Sequence, residues 1–142
     1  NDTGAGGVRV GGASQDAGDV PSGCAITDSV VTHGGALYEM GAGVLAQITR
    51  DLEIGHNEVG FHRYTGVSTG WVWGYGPSAT ANVSTHHNHI HHIGQGALSD
   101  MACVYTLGHQ AGSVVSHNLC EEVESFDYGG WGYYADEGSR GE

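Results

Sequence analysis

Three acidic residues in short, glycine-rich segments are the side chains of this sequence best suited to acid–base chemistry. Asp100 stands in the stretch ALSDMA, and Asp136 and Glu137 stand in ADEGS. Carboxyls flanked by small residues are more typical of turns and sites than of strand faces. Two such groups can cleave a glycosidic bond, with retention at a separation of about 5 to 5.5 Å and inversion at about 6.5 to 9.5 Å. The candidate catalytic residues are therefore Asp100, Asp136 and Glu137.

Aromatic and polar residues near these acids favour a sugar polymer as the ligand. Aromatic rings stack on the apolar faces of pyranoses, and carboxylates and amides bind the hydroxyls. The candidate substrate-binding residues are Trp71, Tyr105, Trp131, His91, His92 and Gln95. A third set of residues, Trp73, Val104 and Tyr134, falls at one repeat position, and we expect these three to be structural.

Five of the ten histidines fall within residues 86–92. Alternation along a strand places His87, His89 and His91 opposite Ile90, on an outward face, so we expect a solvated surface of stacked imidazoles. A metal site would need three or four converging ligands, and we predict none. A role of one or two histidines in a substrate groove, and protonation near the usual pKa, remain open alternatives.

Composition excludes several kinds of partner. The 142 residues include sixteen acids and four arginines, without lysine, for a net charge of −12. A surface this acidic disfavours nucleic acid and anionic membranes, and no stretch of the sequence resembles a transmembrane span. Three distant cysteines indicate neither a disulfide framework nor a zinc ribbon, although one pair could bridge. No cofactor is expected.

Internal repetition predicts the elements that position these residues. Val31, Val59, Ile90 and Cys120 recur 28, 31 and 30 residues apart, among short β-branched stretches broken by glycine. A repeat of this length without helical periodicity is typical of a parallel β-solenoid with three strands per coil. We predict an all-β, right-handed parallel β-helix of about four coils over residues 1–142, a single domain and an internal segment of a longer solenoid. The glycine-rich residues 1–12 are interpreted as turns leading into it.

Equivalent residues of stacked coils should form ladders, because hydrogen-bonded strands lie about 4.8 Å apart. The four apolar residues of the repeat then make an inward column. A second ladder, of Ser29, Asn57, Asn88 and Asn118, can satisfy its amides by bonding between coils. Cys120 falls in the apolar column, which favours a small hydrophobe over a nucleophile.

Four stretches carry a resemblance to a known family: GAGVLAQ, YTGVSTGWVWGYGPS, HNHIHHIGQGALSDMACVYTLG and YGGWGYYADEGS. Between Gly41 and Ser139 they resemble bacterial right-handed parallel β-helix proteins of the glycoside hydrolase family 141 type. The sequence departs from that pattern at Ala102-Cys103, where relatives have glycines, and at His62-Arg63.

The resemblance implies an enzyme acting on plant cell-wall glycans, since α-L-fucosidase and xylanase activities occur in the family. It also implies paired acids, here Asp100 with Asp136 or Glu137. We therefore expect a secreted, cell-surface or periplasmic glycoside hydrolase. The alternative is a non-catalytic solenoid that binds glycan or assembles end to end into a fibre, because solenoid ends without caps expose strand edges. A polysaccharide lyase is a weaker alternative, since four arginines are few for neutralising uronates.

Overall fold

The computed structural model describes residues 2–141, which form thirteen short strands joined by turns. The strands are β1 (Val8–Gly11), β2 (Ala25–Thr27), β3 (Val30–Thr32), β4 (Val44–Gln47), β5 (Arg50–Gly55), β6 (Glu58–His62), β7 (Val67–Gly70), β8 (Ala81–His86), β9 (His89–Ile93), β10 (Met101–Leu107), β11 (Val114–Ser116), β12 (Leu119–Val123) and β13 (Gly130–Ala135). Within this range, no helix is long and apolar enough to cross a membrane.

The strands assemble into three parallel sheets. Their orders are β1-β4-β7-β10-β13, β11-β8-β5-β2 and β12-β9-β6-β3. Each strand pairs with the strand three places along the chain, so each repeat adds one strand to each sheet. The prediction of an all-β protein with stacked parallel strands is therefore confirmed, and the arrangement is consistent with a solenoid.

The predicted apolar column lies in the third sheet. Val31 pairs with Val59, Val59 with Ile90, and Ile90 with Cys120. Val59 and Ile90 are fully buried, and burial of such side chains stabilises the fold by roughly 1.5–3 kcal/mol each. Cys120 is more than a small hydrophobe, because it forms a disulfide with the buried Cys103 of β10, with their Cα atoms 6.0 Å apart.

The predicted asparagine ladder occupies the corner between the second and third sheets. Asn57 Nδ2 donates to Asn88 Oδ1 over 3.0 Å, and Asn88 Nδ2 donates to Asn118 Oδ1 over 2.9 Å. The same amides also donate to backbone carbonyls of the preceding coil. A bend between two strands frees backbone groups that would be costly to bury unpaired, and the asparagines satisfy them.

The residue before each asparagine makes the bend itself. His56, His87 and His117 have φ values of 57°, 51° and 54°, in the left-handed region that turns the chain sharply within one residue. Their rings stack along the corner, with centroids 5.0 Å apart for His56 and His87 and 4.9 Å for His87 and His117. A parallel imidazole stack is therefore present along the corner, whereas on the predicted strand face His89 and His91 make a tilted contact at 4.6 Å.

The glycine-rich start of the chain departs from the prediction of turns. Residues Val8–Gly11 form β1, which pairs with β4 as the edge of the five-stranded sheet. Gly11 has a φ of 78°, and a Cβ there would lie 1.8 Å from the carbonyl oxygen of Gln47. Glycine thus permits the close approach of two backbones at the end of this strand. Asn1, the first residue of the predicted turns, lies outside the described residues.

Candidate active site

One face of the five-stranded sheet carries an outward row of side chains. Val44 and Val67 belong to the interior cluster, so the residues that follow them point to the opposite face. One register position runs across all five strands through Arg9, Leu45, Ser68, Tyr105 and Tyr134.

A groove of about 730 Å³ follows this face. Its lining includes Arg9, Leu45, Tyr64, Ser68, Trp71 and Asp100. Arg9 donates to Gln47 Oε1 over 2.7 Å, and it lies three strands, roughly 14 Å, from Tyr105. The groove is therefore elongated across the strands, with a guanidinium towards one end and a carboxylate towards the other.

An aromatic cluster stands where the groove meets β10. Tyr105 is 1% exposed and lies at its centre. Trp71 stacks on Tyr105 with ring centroids 5.7 Å apart and planes 8° apart, and Tyr134 meets Tyr105 edge-on at 4.7 Å. Trp131 contacts Tyr134 on the far side at 4.1 Å. Three of the predicted ligand-binding aromatics, Trp71, Tyr105 and Trp131, thus belong to one continuous set of rings.

Trp71 is held in place by its own turn. It follows β7 with a φ of 77°, and its backbone N–H donates to the carbonyl of Leu107 over 2.9 Å. Its indole N–H donates to Ser68 Oγ, also over 2.9 Å. The buried indole donor is thereby satisfied, and one face of the ring is fixed against Tyr105.

Asp136 is bound by two tyrosine hydroxyls. Tyr134 donates to Asp136 Oδ1 over 3.0 Å, and Tyr105 donates to Asp136 Oδ2. The Asp136 backbone N–H donates to the carbonyl of Thr106 over 2.9 Å, which anchors the residue directly after β13. The carboxylate is half-buried and fixed in orientation.

Asp100 reaches the same cluster from the turn before β10. Its φ is 58°, and its N–H donates to the carbonyl of Tyr128 over 3.1 Å. Its half-buried side chain lines the groove. The turn therefore presents the Asp100 carboxyl at the aromatic end of the groove.

The pKa values of three tyrosine hydroxyls are raised by burial and by nearby carboxylates. Burial raises the pKa of Tyr105, and the hydrogen bond to Asp136 and the charge of Asp100 raise it further. Burial is also the largest cause that raises the pKa of Tyr134. Asp136 and Asp100 raise this pKa further, each through its charge and a side-chain hydrogen-bond effect. Burial, then the charge of Asp100, raises the pKa of Tyr64. All three hydroxyls stay protonated at neutral pH, and Asp100 and Asp136 act on the same Tyr134 hydroxyl.

Glu137 and Gln95 lie outside this cluster. Glu137 is exposed, and its Oε1 lies 3.8 Å from where a Cβ on Gly74 would stand. The pKa shifts of Tyr105 and Tyr134 have Asp100 and Asp136 among their causes, but not Glu137. Gln95 is exposed on the turn after β9, away from the groove lining. Of the three candidate acids, the structure brings Asp100 and Asp136 together.

His91 and His92 lie on β9, in a different sheet from the groove. His91 Nε2 is 3.3 Å from Glu58 Oε1, and His92 pairs with Glu122. The predicted outward face holds for His89, but His91 is only 8% exposed because its ring covers Gly60. The structure does not place these two histidines with Asp100.

The alignment of Trp73, Val104 and Tyr134 is wrong. Val104 pairs with Val67 and Tyr133, whereas Tyr134 pairs with Tyr105. Trp73 follows the end of β7 and is 63% exposed. Tyr134 therefore belongs to the aromatic cluster of the candidate site, in contrast to the structural role that its predicted repeat position implies.

Other groove residues went unrecognised: Tyr64, Ser68, Arg9 and Leu45. Most of them are predictable from the alternation of side chains along β1, β4 and β7. Arg9, Leu45 and Ser68 each stand next to a valine that packs in the interior, so they point to the opposite face. Tyr64 lies before β7 and carries no such signal.

Comparison with known proteins gives one informative similarity. No family model and no curated protein matches the chain. A solved structure described as "Glycoside hydrolase" matches with a TM-score of 0.87 and 29% sequence identity. The match covers 97% of this chain and 26% of that one, so the chain spans about a quarter of the length of the protein it resembles.

Proposed function

We propose that this chain carries the catalytic site of a glycoside hydrolase acting on plant cell-wall type polysaccharide, with Asp100 and Asp136 as the catalytic pair. The observation that carries the proposal is that both carboxyls act on the Tyr134 hydroxyl, at the aromatic end of an elongated groove. The similarity to a structure described as a glycoside hydrolase supports it.

The hydrogen bonds support a proposal for the role of each acid in the pair. Asp136 accepts hydrogen bonds from two tyrosine hydroxyls, which fix the orientation of its carboxyl group. Asp136 is therefore the nucleophile, and its side chain is already oriented. Asp100 lines the groove directly and is the proton donor to the leaving oxygen.

The shared hydroxyl also bears on stereochemistry. The Tyr134 hydroxyl donates to Asp136 Oδ1 over 3.0 Å, and Asp100 acts on the same hydroxyl, so we take the two carboxyls to lie close together. A close pair fits the carboxyl separation of retaining enzymes, about 5–5.5 Å, better than that of inverting enzymes, about 6.5–9.5 Å. We therefore assign net retention of anomeric configuration.

The groove favours a linear chain of sugars over a single sugar. Trp71 offers a ring on which a pyranose can stack, and Arg9 with Gln47 offers hydrogen bonds to hydroxyls farther along. Connections between parallel strands are right-handed in nearly all proteins, so the coils are taken to be right-handed. The disulfide favours an oxidising, extracellular or periplasmic location.

The experiment is reducing-sugar release from xylans, fucosylated glycans and pectic fractions. Asp100→Asn and Asp136→Asn should each lower turnover by about 10²–10⁴-fold, because each removes an acid–base or nucleophilic group. Glu137→Gln is the matched control, since it neutralises the adjacent exposed carboxylate, and it should keep wild-type turnover. Circular dichroism checks that each variant folds.

Two outcomes would overturn the proposal. Equal loss in Glu137→Gln and Asp136→Asn, with both folded, would show that the tyrosine-bound carboxylate has no special role. Absence of turnover on every glycan, from a folded protein that sediments as a long polymer, would favour the non-catalytic solenoid that assembles end to end.

A further inference from the structure

We propose that His56, His86 and His87 form a binding site for a late first-row transition-metal ion, with Zn²⁺ as the probe. The three residues meet at the corner between the second and third sheets, across two successive coils. His86 ends β8, His87 makes the bend after it, and His56 makes the equivalent bend one coil earlier. This corner lies apart from the groove, so the proposal does not depend on the hydrolase activity.

The ligand atoms already converge. One nitrogen from each ring lies within 4.8 Å of the other two, and His86 Nδ1 and His87 Nδ1 are 3.0 Å apart. A tetrahedral zinc ion with Zn–N bonds of about 2.0–2.1 Å places its nitrogens about 3.4 Å apart. Small side-chain rotations of His56 would complete three ligands, leaving a fourth position for water.

The backbone holds the three histidines in place. His56 and His87 have φ values of 57° and 51° within the corner that the asparagine ladder pins. His86 pairs in register with Gly55, and its ring lies over that glycine, where a Cβ would approach Cε1 to 2.6 Å. The absence of a side chain at Gly55 thus makes the space in which the His86 ring rests.

Glu53 orients His86 for this role. His86 Nε2 lies 3.3 Å from Glu53 Oε1, so the carboxylate favours the tautomer with the proton on Nε2. The His86 Nδ1 atom is then left as a bare acceptor facing His87. A carboxylate that fixes the tautomer of a ligating histidine is the usual outer partner of a zinc-bound imidazole.

The histidines of β9 do not form a converging group of three ligand atoms. His89, His91 and His92 pair with Glu121, Glu58 and Glu122 respectively. Among residues 2–141, the group at the corner is the set of three metal-ligating side chains whose atoms converge. A ligand set made of imidazoles favours Zn²⁺, Cu²⁺ or Ni²⁺ over Mg²⁺ or Ca²⁺, which prefer oxygen.

The test is calorimetric titration of the chelator-treated chain with ZnCl₂. We expect one tight site per chain, a rise in Tm on binding, and no response to MgCl₂. His87→Ala and His56→Gln should abolish the tight site, and Glu53→Gln should weaken it by about tenfold or more. His92→Gln is the matched control and should bind as the wild type does.

Two results would overturn the site. If His87→Ala binds zinc as the wild type does, the zinc site lies elsewhere. If His92→Gln loses zinc binding, the zinc site lies on the β9 surface. Co²⁺ gives a second readout, because intense visible absorption reports tetrahedral coordination. That absorption should disappear in His56→Gln while the circular dichroism spectrum is retained.

Discussion

The Tyr134 hydroxyl donates a 3.0 Å hydrogen bond to Asp136 Oδ1, while the Tyr105 hydroxyl binds the other oxygen of the same carboxylate. The two tyrosines are paired in register on adjacent strands, so the spacing of the parallel sheet determines where their hydroxyls meet. Tyr105 and Asp136, which are 31 residues apart in sequence, thereby meet, and the orientation of the carboxylate is fixed. The stacking of successive coils therefore determines the geometry of the candidate site.

Tyr134→Phe tests the role of this pairing in turnover. The variant keeps the ring that packs on Tyr105 but removes the hydroxyl that donates to Asp136. We expect kcat to fall by roughly 10–10³-fold with a smaller change in KM, because one preorganised donor is lost. Tyr133→Phe is the matched control, since its hydroxyl donates to the carbonyl of Asn118 instead. Equal kcat in the two variants would contradict the role of Tyr134.

Asn88→Ala tests the ladder at the corner. Asn88 is 1% exposed, and its amide bonds Asn118, the Ile54 carbonyl and Asn57. Its loss leaves several buried polar groups unpaired, and we expect the free energy of unfolding to fall by about 2–4 kcal/mol. Asn82→Gly is the control, because Asn82 is exposed at a φ of 53° that glycine tolerates, and its loss should cost less than about 1 kcal/mol. Urea unfolding gives both values, and equal losses would contradict the ladder's role.

His62 should make stability depend on pH. The residue is fully buried, and burial lowers the pKa of His62, with the hydrogen bond to the Val31 carbonyl opposing that shift. The unfolded chain therefore binds the proton more readily than the folded one. Stability is full above the unfolded value of about 6.5 and is lost as the pH falls below it.

The measurement is urea unfolding of wild type and His62→Gln between pH 5 and pH 8. Wild type should lose more stability on acidification than His62→Gln, which cannot gain this proton. His117→Gln removes an exposed histidine and should keep the wild-type dependence. Identical pH profiles for wild type and His62→Gln would show that His62 does not contribute.

The disulfide between Cys103 and Cys120 should stabilise the last coils. It closes a loop across a sequence separation of 17, for which loop entropy predicts about 3 kcal/mol. Reductant should therefore lower Tm in wild type and equally in Cys24→Ser, since Cys24 is the unpaired cysteine. Cys120→Ser should have a lower Tm than oxidised wild type, with or without reductant. A Tm equal to that of oxidised wild type would contradict the stabilising role of the disulfide.

Repetition predicted most of the fold, because equivalent residues of stacked coils must share an environment. The column of Val31, Val59, Ile90 and Cys120 and the asparagine ladder both follow from that constraint. The corner was not predicted as such, since a single left-handed residue such as His56 carries no compositional signal. A non-glycine residue is uncommon at positive φ, so side-chain alternation alone predicts a continuing strand at the bend.

The site was predictable only in part. Asp100 and Asp136 are recognisable in the sequence because small residues flank them. Their common effect on the Tyr134 hydroxyl depends on the register between β10 and β13. A misalignment of Tyr134 with Val104 hid that effect, because glycine-rich stretches carry few anchors for alignment. Glu137, adjacent in sequence to Asp136, differs from it only in what the folded chain places around each carboxylate.

The most direct measurement is mass spectrometry of the chain after reaction with a 2-fluoro glycoside of the sugar that the glycan panel identifies. A retaining hydrolase traps its nucleophile as a glycosyl ester with such a reagent. We predict a single adduct on the peptide that contains Asp136, located on that residue by fragmentation and absent from Asp136→Asn. An adduct on Glu137 or Asp100, or continued turnover with no adduct, would contradict the account.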